Sequence, residues 1–141
     1  MYAIEKILNW VRRKIFSTTF LKFGVVGGSG VVVNYLCYWI LLEFAGLNHL
    51  LASVLATEAA ILNNFTFNDL WTFRERRKAK LWFRLLNFHW SRILGLLVTV
   101  GSLYLLVDLM GFDKLVSYIF AIGLGTLTNF FTSDLFVWPE R

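Results

Sequence analysis

No charged residue interrupts Phe23 to Leu42, Ile93 to Val107 or Leu115 to Ser133, and Leu50 to Phe67 holds a single one, Glu58. With its flanks, each run reaches roughly 20 residues, the length a helix needs to cross about 30 Å of hydrocarbon. The pattern predicts four transmembrane helices, near residues 20–44, 49–72, 89–108 and 114–137. Ahead of them, Ile4, Ile7, Leu8, Val11 and Ile15 recur at helical spacing among Lys6, Arg12, Arg13 and Lys14. This predicts an amphipathic helix over residues 1–19, lying on the membrane surface; a frayed tail is the alternative. The expected fold class is all-α integral membrane, with residues 20–141 as one four-helix domain.

The polar ends of the runs repeat. Shifted by 65 positions, Asn64 meets Asn129, Phe65 meets Phe130, Asp69 meets Asp134, Leu70 meets Leu135 and Phe73 meets Trp138. The connections repeat too, Glu43 with Asp108, Gly46 with Gly111 and Leu50 with Leu115. The repeat therefore covers two whole helical hairpins, about 20–73 and 86–138, in the same orientation, a parallel repeat. Descent from one duplicated hairpin explains the likeness without any function. Two similar helix ends placed around a shared cleft explain it as well.

Charge fixes the expected orientation. Of 14 Lys and Arg residues, only Lys114 falls in a connection on the expected outer side. The others, including Lys22, Arg74, Arg76, Arg77, Lys78, Lys80, Arg84, Arg92 and Arg141, fall on the opposite side. The positive-inside rule then puts both termini in the cytoplasm of a multi-pass plasma-membrane protein. The net charge of +5 flanks membrane spans, where its ordinary partner is anionic lipid, so nucleic acid is not an expected partner. The composition, 57% hydrophobic and 18% aromatic, leaves no soluble catalytic domain. The one cysteine, Cys37, lies inside the first apolar run. That run is too long for a signal peptide and is followed by no cleavage site, so it is expected to remain a span.

Few residues could carry chemistry. Glu58 lies about 13 Å into the second span at 1.5 Å per residue, where an ionisable group is expensive and must face the bundle or water. Asn34 climbs to a similar depth from the other side, so Asn34 and Glu58 are expected to form an intramembrane polar pair. Asn63, Asn64, Asn68 and Asp69 gather near the end of the second run, and i, i+4, i+7 spacing puts Asn64, Asn68 and Trp71 on one face. These amides serve either as ties between helices or as one wall of a polar pocket. The pocket reading adds Asn129, Ser133 and Asp134 from the fourth span and His89 and Arg92 from the third, with Arg74 and Lys22 at its rim. Trp71, Phe73, Phe136 and Trp138 read at minimum as an interfacial aromatic belt. Gly24 and Gly28 share a face and let another helix approach closely; no Lys-Ser/Thr follows to make a phosphate loop. No metal-ligand cluster, Ser/His/Asp set or nucleotide loop is visible, so no cofactor and no enzymatic activity are expected.

At these residues the chain resembles the GtrA-like family of small four-helix membrane proteins. The likeness rests on Phe20-Leu21-Lys22-Phe23-Gly24-Val25-Val26-Gly27-Gly28 and, more specifically, on Asn64-Phe65-x-x-Asn68-x-x-Trp71-Thr72-Phe73 with its echo from Asn129 to Trp138. The resemblance implies a role in cell-surface polysaccharide synthesis and glycosylation, with some members similar to flippases for polyprenyl-phosphate-linked sugars. Similar segments form the membrane part of dolichyl-phosphate-mannose synthases. The family often has a basic residue after the second Asn, where this chain has Asp69 and, in the second copy, Asp134. Any phosphate charge would then have to be met by Arg74, Arg92 or Lys22.

Three functions follow as expectations. The first is translocation of a polyprenyl-phosphate sugar by a homo-oligomer, with Asn64, Asn68, Asp69, Trp71, Arg74, His89, Arg92, Asn129 and Asp134 as candidate substrate-binding residues. The second is a membrane anchor or accessory subunit for a glycosyltransferase. The third is a small multidrug-type exporter built on Glu58, which does not account for the paired Asn motifs.

Overall fold

A computed structural model describes residues 1–140; Arg141, counted above with the inner charges, lies outside the described residues. All regular structure among the described residues is helical. Helix α1 spans Tyr2–Ile15, α2 Thr18–Glu43, α3 His49–Phe67, α4 Leu81–Tyr104 and α5 Lys114–Thr132. π-helical turns extend α3 through Asn68–Thr72, α4 through Leu105–Leu109 and α5 through Ser133–Val137. Four of these helices are long and apolar enough to cross a membrane: Thr18–Glu43, His49–Thr72, Leu81–Leu109 and Lys114–Val137. The chain is a multi-pass membrane protein.

The chain divides into two compact units, Met1–Glu75 and the hairpin from Arg76 onward. In the first, α2 packs on α3; in the second, α4 packs on α5. Small residues every four positions make each contact close. Ala52, Ala56 and Ala60 are buried against α2, and Ser117, Ala121 and Gly125, 65 residues later, are buried against α4. Small side chains let helix backbones approach where lipid supplies no hydrophobic drive for association. The opposite faces are large and apolar, as at Val31, Leu55, Leu97 and Ile119, and stay exposed.

The two turns are built alike. Gly46 has φ +63° and Gly111 φ +72°, the left-handed conformation that glycine adopts without steric cost. Beyond them, Leu47 N–H donates to Leu41 O at 3.1 Å and Phe112 N–H to Leu106 O at 2.9 Å, closing the helix ends with six-residue loops. The following helices start on side-chain caps. Asn48 Oδ1 accepts from Leu51 N–H at 2.9 Å, and Asp113 Oδ1 accepts from Leu115 and Val116 N–H at 3.0 Å each.

Two boundaries differ from expectation. The amphipathic helix ends at Ile15 rather than near residue 19, because Ser17 Oγ accepts from Phe20 N–H at 3.1 Å and starts α2. The third span begins at Leu81 rather than 89. The basic run made 73–88 read as a connection, but Arg84, Phe88, Ser91 and Gly95 form one buried face of α4. Arg84 is accommodated there by bending back, its Nη1 donating to Ala79 O.

Candidate functional site

Midway along each hairpin the same arrangement appears twice. Asn64 on α3 lies against Gly30 on α2, and Asn129 on α5 lies against Gly95 on α4. The glycines are required by this approach: a Cβ on Gly30 would fall 2.7 Å from Asn64 Cγ, and one on Gly95 would fall 2.5 Å from Asn129 Cγ. Both pairs are 34 residues apart and separated from each other by 65, a spacing visible in the sequence only once the contact is known.

Beyond each Asn, the helix takes one extra residue into its last turn. Phe73 N–H donates to Asn68 O at 2.8 Å, and Trp138 N–H donates to Ser133 O at 2.9 Å. These i→i+5 bonds rotate Phe73 and Trp138 inward, where they are 1% and 0% exposed. Phe73 meets Phe23 edge-on with centroids 6.4 Å apart, and Trp138 meets Phe88 at 5.6 Å. Phe73 and Trp138 are therefore core residues and not part of an interfacial belt, whereas Trp71 and Phe136 stay exposed. The same turn breaks the expected Asn64–Asn68–Trp71 face, because Asn68 is 1% exposed and Trp71 45%.

In the first unit, the amides are tied to the glycine-rich helix. Asn63 Nδ2 donates to Ser29 Oγ at 3.0 Å and to Asn64 Oδ1 at 3.4 Å. Ser29 Oγ in turn donates to Val26 O at 2.6 Å. Asp69 is buried in the π turn. Lys22 Nζ stands 5.3 Å from the centroid of Trp71, a cation on an aromatic face. Arg74, expected at the rim, is exposed and pairs with its neighbour Glu75 at 3.0 Å. Deeper in the span, the Asn34 amide donates to Thr57 Oγ1 at 3.4 Å, one residue short of Glu58, which is itself exposed.

The second unit gathers a denser set. Ser91 Oγ lies 2.6 Å from Thr132 Oγ1 and 3.4 Å from Ser133 Oγ, and donates to Asn129 O at 3.2 Å. With the Asn129 amide nitrogen facing Ser91 O at 2.7 Å, its oxygen accepts from Arg92 Nη1 at 3.3 Å. The Arg92 guanidinium carbon sits 4.1 Å from the centroid of Phe88. His89, one turn earlier, has Nδ1 2.9 Å from Leu85 O. Arg92, Asn129 and Ser91 thus form one cluster, while the imidazole of His89 is turned to its own helix.

Asp134, 2% exposed at its side chain, receives Arg76 Nη1 at 2.7 Å. The same guanidinium reaches Trp138 O at 3.4 Å and Glu140 Oε1 at 2.5 Å. Sequence reasoning counted Arg76 as one charge in a basic run; no periodicity reveals a partner 58 residues away. The pairing clasps the segment before α4 to the end of α5.

Known proteins share this sequence pattern. The profile of the GtrA/DPMS transmembrane domain matches residues 22–138, which takes in both hairpins and both Asn–Gly contacts. A dolichol-phosphate mannosyltransferase from Pyrococcus furiosus is 36% identical over 100 residues, covering 64% of this chain and 28% of that protein. The chain thus spans little more than a quarter of that relative's length. With the profile running from Lys22 to Trp138, the chain belongs to the GtrA/DPMS transmembrane-domain family.

Proposed function

We propose that this chain moves, or helps to move, a polyprenyl-phosphate-linked sugar between membrane leaflets during glycan synthesis. Family membership and the likeness to a dolichol-phosphate mannosyltransferase support a membrane role in that chemistry. Arg92 is the observation that carries the finer reading. It lies 11 residues into the third span, about 16 Å along the helix axis; a charged side chain costs about 2.5–3.5 kcal/mol at a helix centre on insertion scales, which supports a pathway or head-group role. Phe88 holds its planar face and Asn129 one of its N–H groups. A guanidinium so placed suits a phosphate, which it can meet with two parallel N–H donors.

A sugar phosphate is too polar to cross hydrocarbon unaided. The polar cluster would shelter the head group while the isoprenoid tail stays in lipid. In this reading Asp134 and Asp69 organise their turns, and Arg92 with Asn129 contacts substrate. The chain carries its ligand and leaves bond making to other proteins. Four helices make a thin wall, so the working unit is a homo-oligomer.

The test uses purified chain in liposomes loaded with a fluorescent short-chain polyprenyl-phosphate sugar, with leaflet exchange followed by quenching. Wild-type protein is expected to accelerate exchange, and Arg92→Gln to slow it at least tenfold. Arg92→Lys keeps the charge, loses the flat stacking geometry and falls between them. One observation favours a second reading: the relative named for mannosyl transfer is more than three times longer than the matched segment. Absence of exchange, together with stimulation of a co-purified glycosyltransferase, would establish the anchor and remove the carrier.

A further inference from the structure

Between α2 and α3 of the first hairpin runs a groove of about 400 Å³. Gly27, Gly30, Asn34, Tyr35, Tyr38 and Asn64 line most of it. Asn34 lies 16 residues into α2, about 24 Å along a helix about 39 Å long, so the groove sits within the span. Two carboxamides and two phenols thus cluster at a depth where hydrocarbon offers polar groups no partner.

Comparison with the second hairpin separates what packing requires from what it does not. The Gly30–Asn64 contact recurs as Gly95–Asn129 and belongs to the scaffold of both. The other polar positions do not recur. Shifted by 65, Gly27 becomes Arg92, Asn34 becomes Thr99, Tyr35 becomes Val100 and Tyr38 becomes Leu103. Thr99 Oγ1 donates to Gly95 O of its own helix at 2.9 Å, and the two tyrosines are replaced by aliphatic residues. In the first hairpin, a Cβ on Gly27 would meet open space, so the absence of a side chain there keeps the groove open. The polar lining is thus an addition to a fold that closes without it.

The chemistry of the lining selects its occupant. No charged side chain lines the groove, which disfavours phosphate and metal ions. A lipid tail would offer no partner to the tyrosine hydroxyls, or to the amide donors and acceptors that the Asn34–Thr57 and Asn63–Asn64 bonds do not use. Neutral hydroxyl groups satisfy them, since amides and phenols each donate and accept. The tyrosine rings add flat apolar faces for the C–H side of a sugar ring.

We infer that the α2–α3 groove of the first hairpin is a binding site for the neutral, hydroxylated part of a lipid-linked ligand, its sugar, with Tyr35 and Tyr38 as specificity-determining residues. The inference rests on the ligand class proposed above and adds a site to it.

Binding, measured without transport, tests it. The full chain in nanodiscs is titrated with citronellyl phosphate and with its mannosyl, glucosyl and galactosyl phosphodiesters. Wild-type protein is expected to prefer at least one sugared lipid over citronellyl phosphate. Tyr35→Phe/Tyr38→Phe removes two hydroxyls and little volume, and should cut that preference by roughly tenfold, two hydrogen bonds of ordinary strength. Gly27→Leu, which fills the groove, should abolish it. Equal affinities for all four lipids in the wild type, or an unaltered preference in both variants, would overturn the site. So would a Gly27→Leu chain whose change is in oligomeric state alone, because the groove would then be a helix-packing surface. Leaflet exchange is scored separately: exchange with no sugar preference retires this site and keeps the carrier, and preference without exchange does the reverse.

Discussion

A Cβ at residue 30 would lie 2.7 Å from Asn64 Cγ, so Gly30 and Asn64 define how closely α2 and α3 approach. Gly95 and Asn129 do the same for α4 and α5. Replacing either glycine by alanine must push the amide away or part the helices, and such overpacking costs about 1–3 kcal/mol. Gly30→Ala and Gly95→Ala are each expected to lower the melting temperature in detergent. Gly27→Ala, whose Cβ meets open space, is expected to leave it near the wild-type value. Parallel thermal melts of the three variants check the assignment; equal loss in all three would mean that helix flexibility, and not the Asn contact, sets the requirement.

The Arg76–Asp134 pair makes a separate demand. Asp134 is almost completely enclosed, and Arg76 is 19% exposed at its side chain. A buried carboxylate deprived of its cation is left with its desolvation cost. Arg76→Gln is therefore expected to cost about 1.5–3 kcal/mol, the range for hydrogen bonds to charged groups. Asp134→Asn should cost less, because Arg76 keeps Glu140 at 2.5 Å. The double variant should lose less than the sum of the two. A thermodynamic cycle from chemical denaturation in detergent reads the coupling directly, and strict additivity would show that the two side chains do not support each other.

Much of this architecture was legible before the structure. Long apolar runs, one broken only by Glu58, set the four spans, and the repeated connections at Gly46 and Gly111 fell at the two turns, where each glycine is left-handed. The offset of 65 followed from pairs such as Asn64 with Asn129. What failed, failed for local reasons. Arg84 disguised the start of α4, because a charge that folds back on Ala79 looks the same in sequence as one in a loop. A 3.6-residue period put Trp71 beside Asn68, but the turn there has a longer period, and Phe73 took the inward position instead. The Asn34 amide was matched to Glu58 by depth alone, and depth says nothing about rotation around the helix; its hydrogen bond goes to Thr57. Arg76 lay among six basic residues between 74 and 84, and only the fold selects one of them for Asp134.

The orientation read from charge has its own test. In a Cys37→Ser background, single cysteines at Lys78 and Phe112 mark opposite ends of the second hairpin, and Phe112 is well exposed. With Arg92 set aside as a residue of the third span, 12 of the other 13 basic residues favour one side, and translocating such segments is disfavoured. Phe112→Cys is expected to react with a membrane-impermeant maleimide in intact cells, and Lys78→Cys only after permeabilisation. The reverse pattern would invert the protein and place the cluster around Arg92 and Asn129 nearer the outer leaflet.

The π turn at Asn68–Thr72 behaves, geometrically, as an α-helix with one residue inserted. Its i→i+5 bond from Phe73 to Asn68 leaves both residues on the buried face. An α-turn one residue shorter would do so too, because i and i+4 share a face. Leu70, 53% exposed, is the residue whose loss would perform that exchange. Asn68 Oδ1 and Thr72 Oγ1 in this turn are buried without a hydrogen bond, an arrangement that costs stability, and π turns inside α-helices frequently sit at functional sites. Deleting Leu70 is therefore expected to give a folded chain at least as stable as the wild type, with slower leaflet exchange. Deleting Leu62, equally peripheral at 42% exposed but within regular α3, should rotate Asn64, Phe65 and Asn68 by about 100° off the packed face and unfold the hairpin. Thermal melts and exchange rates of the two deletions separate the cases, and a ΔLeu70 chain as unstable as ΔLeu62 would show that the extra residue is required for folding itself.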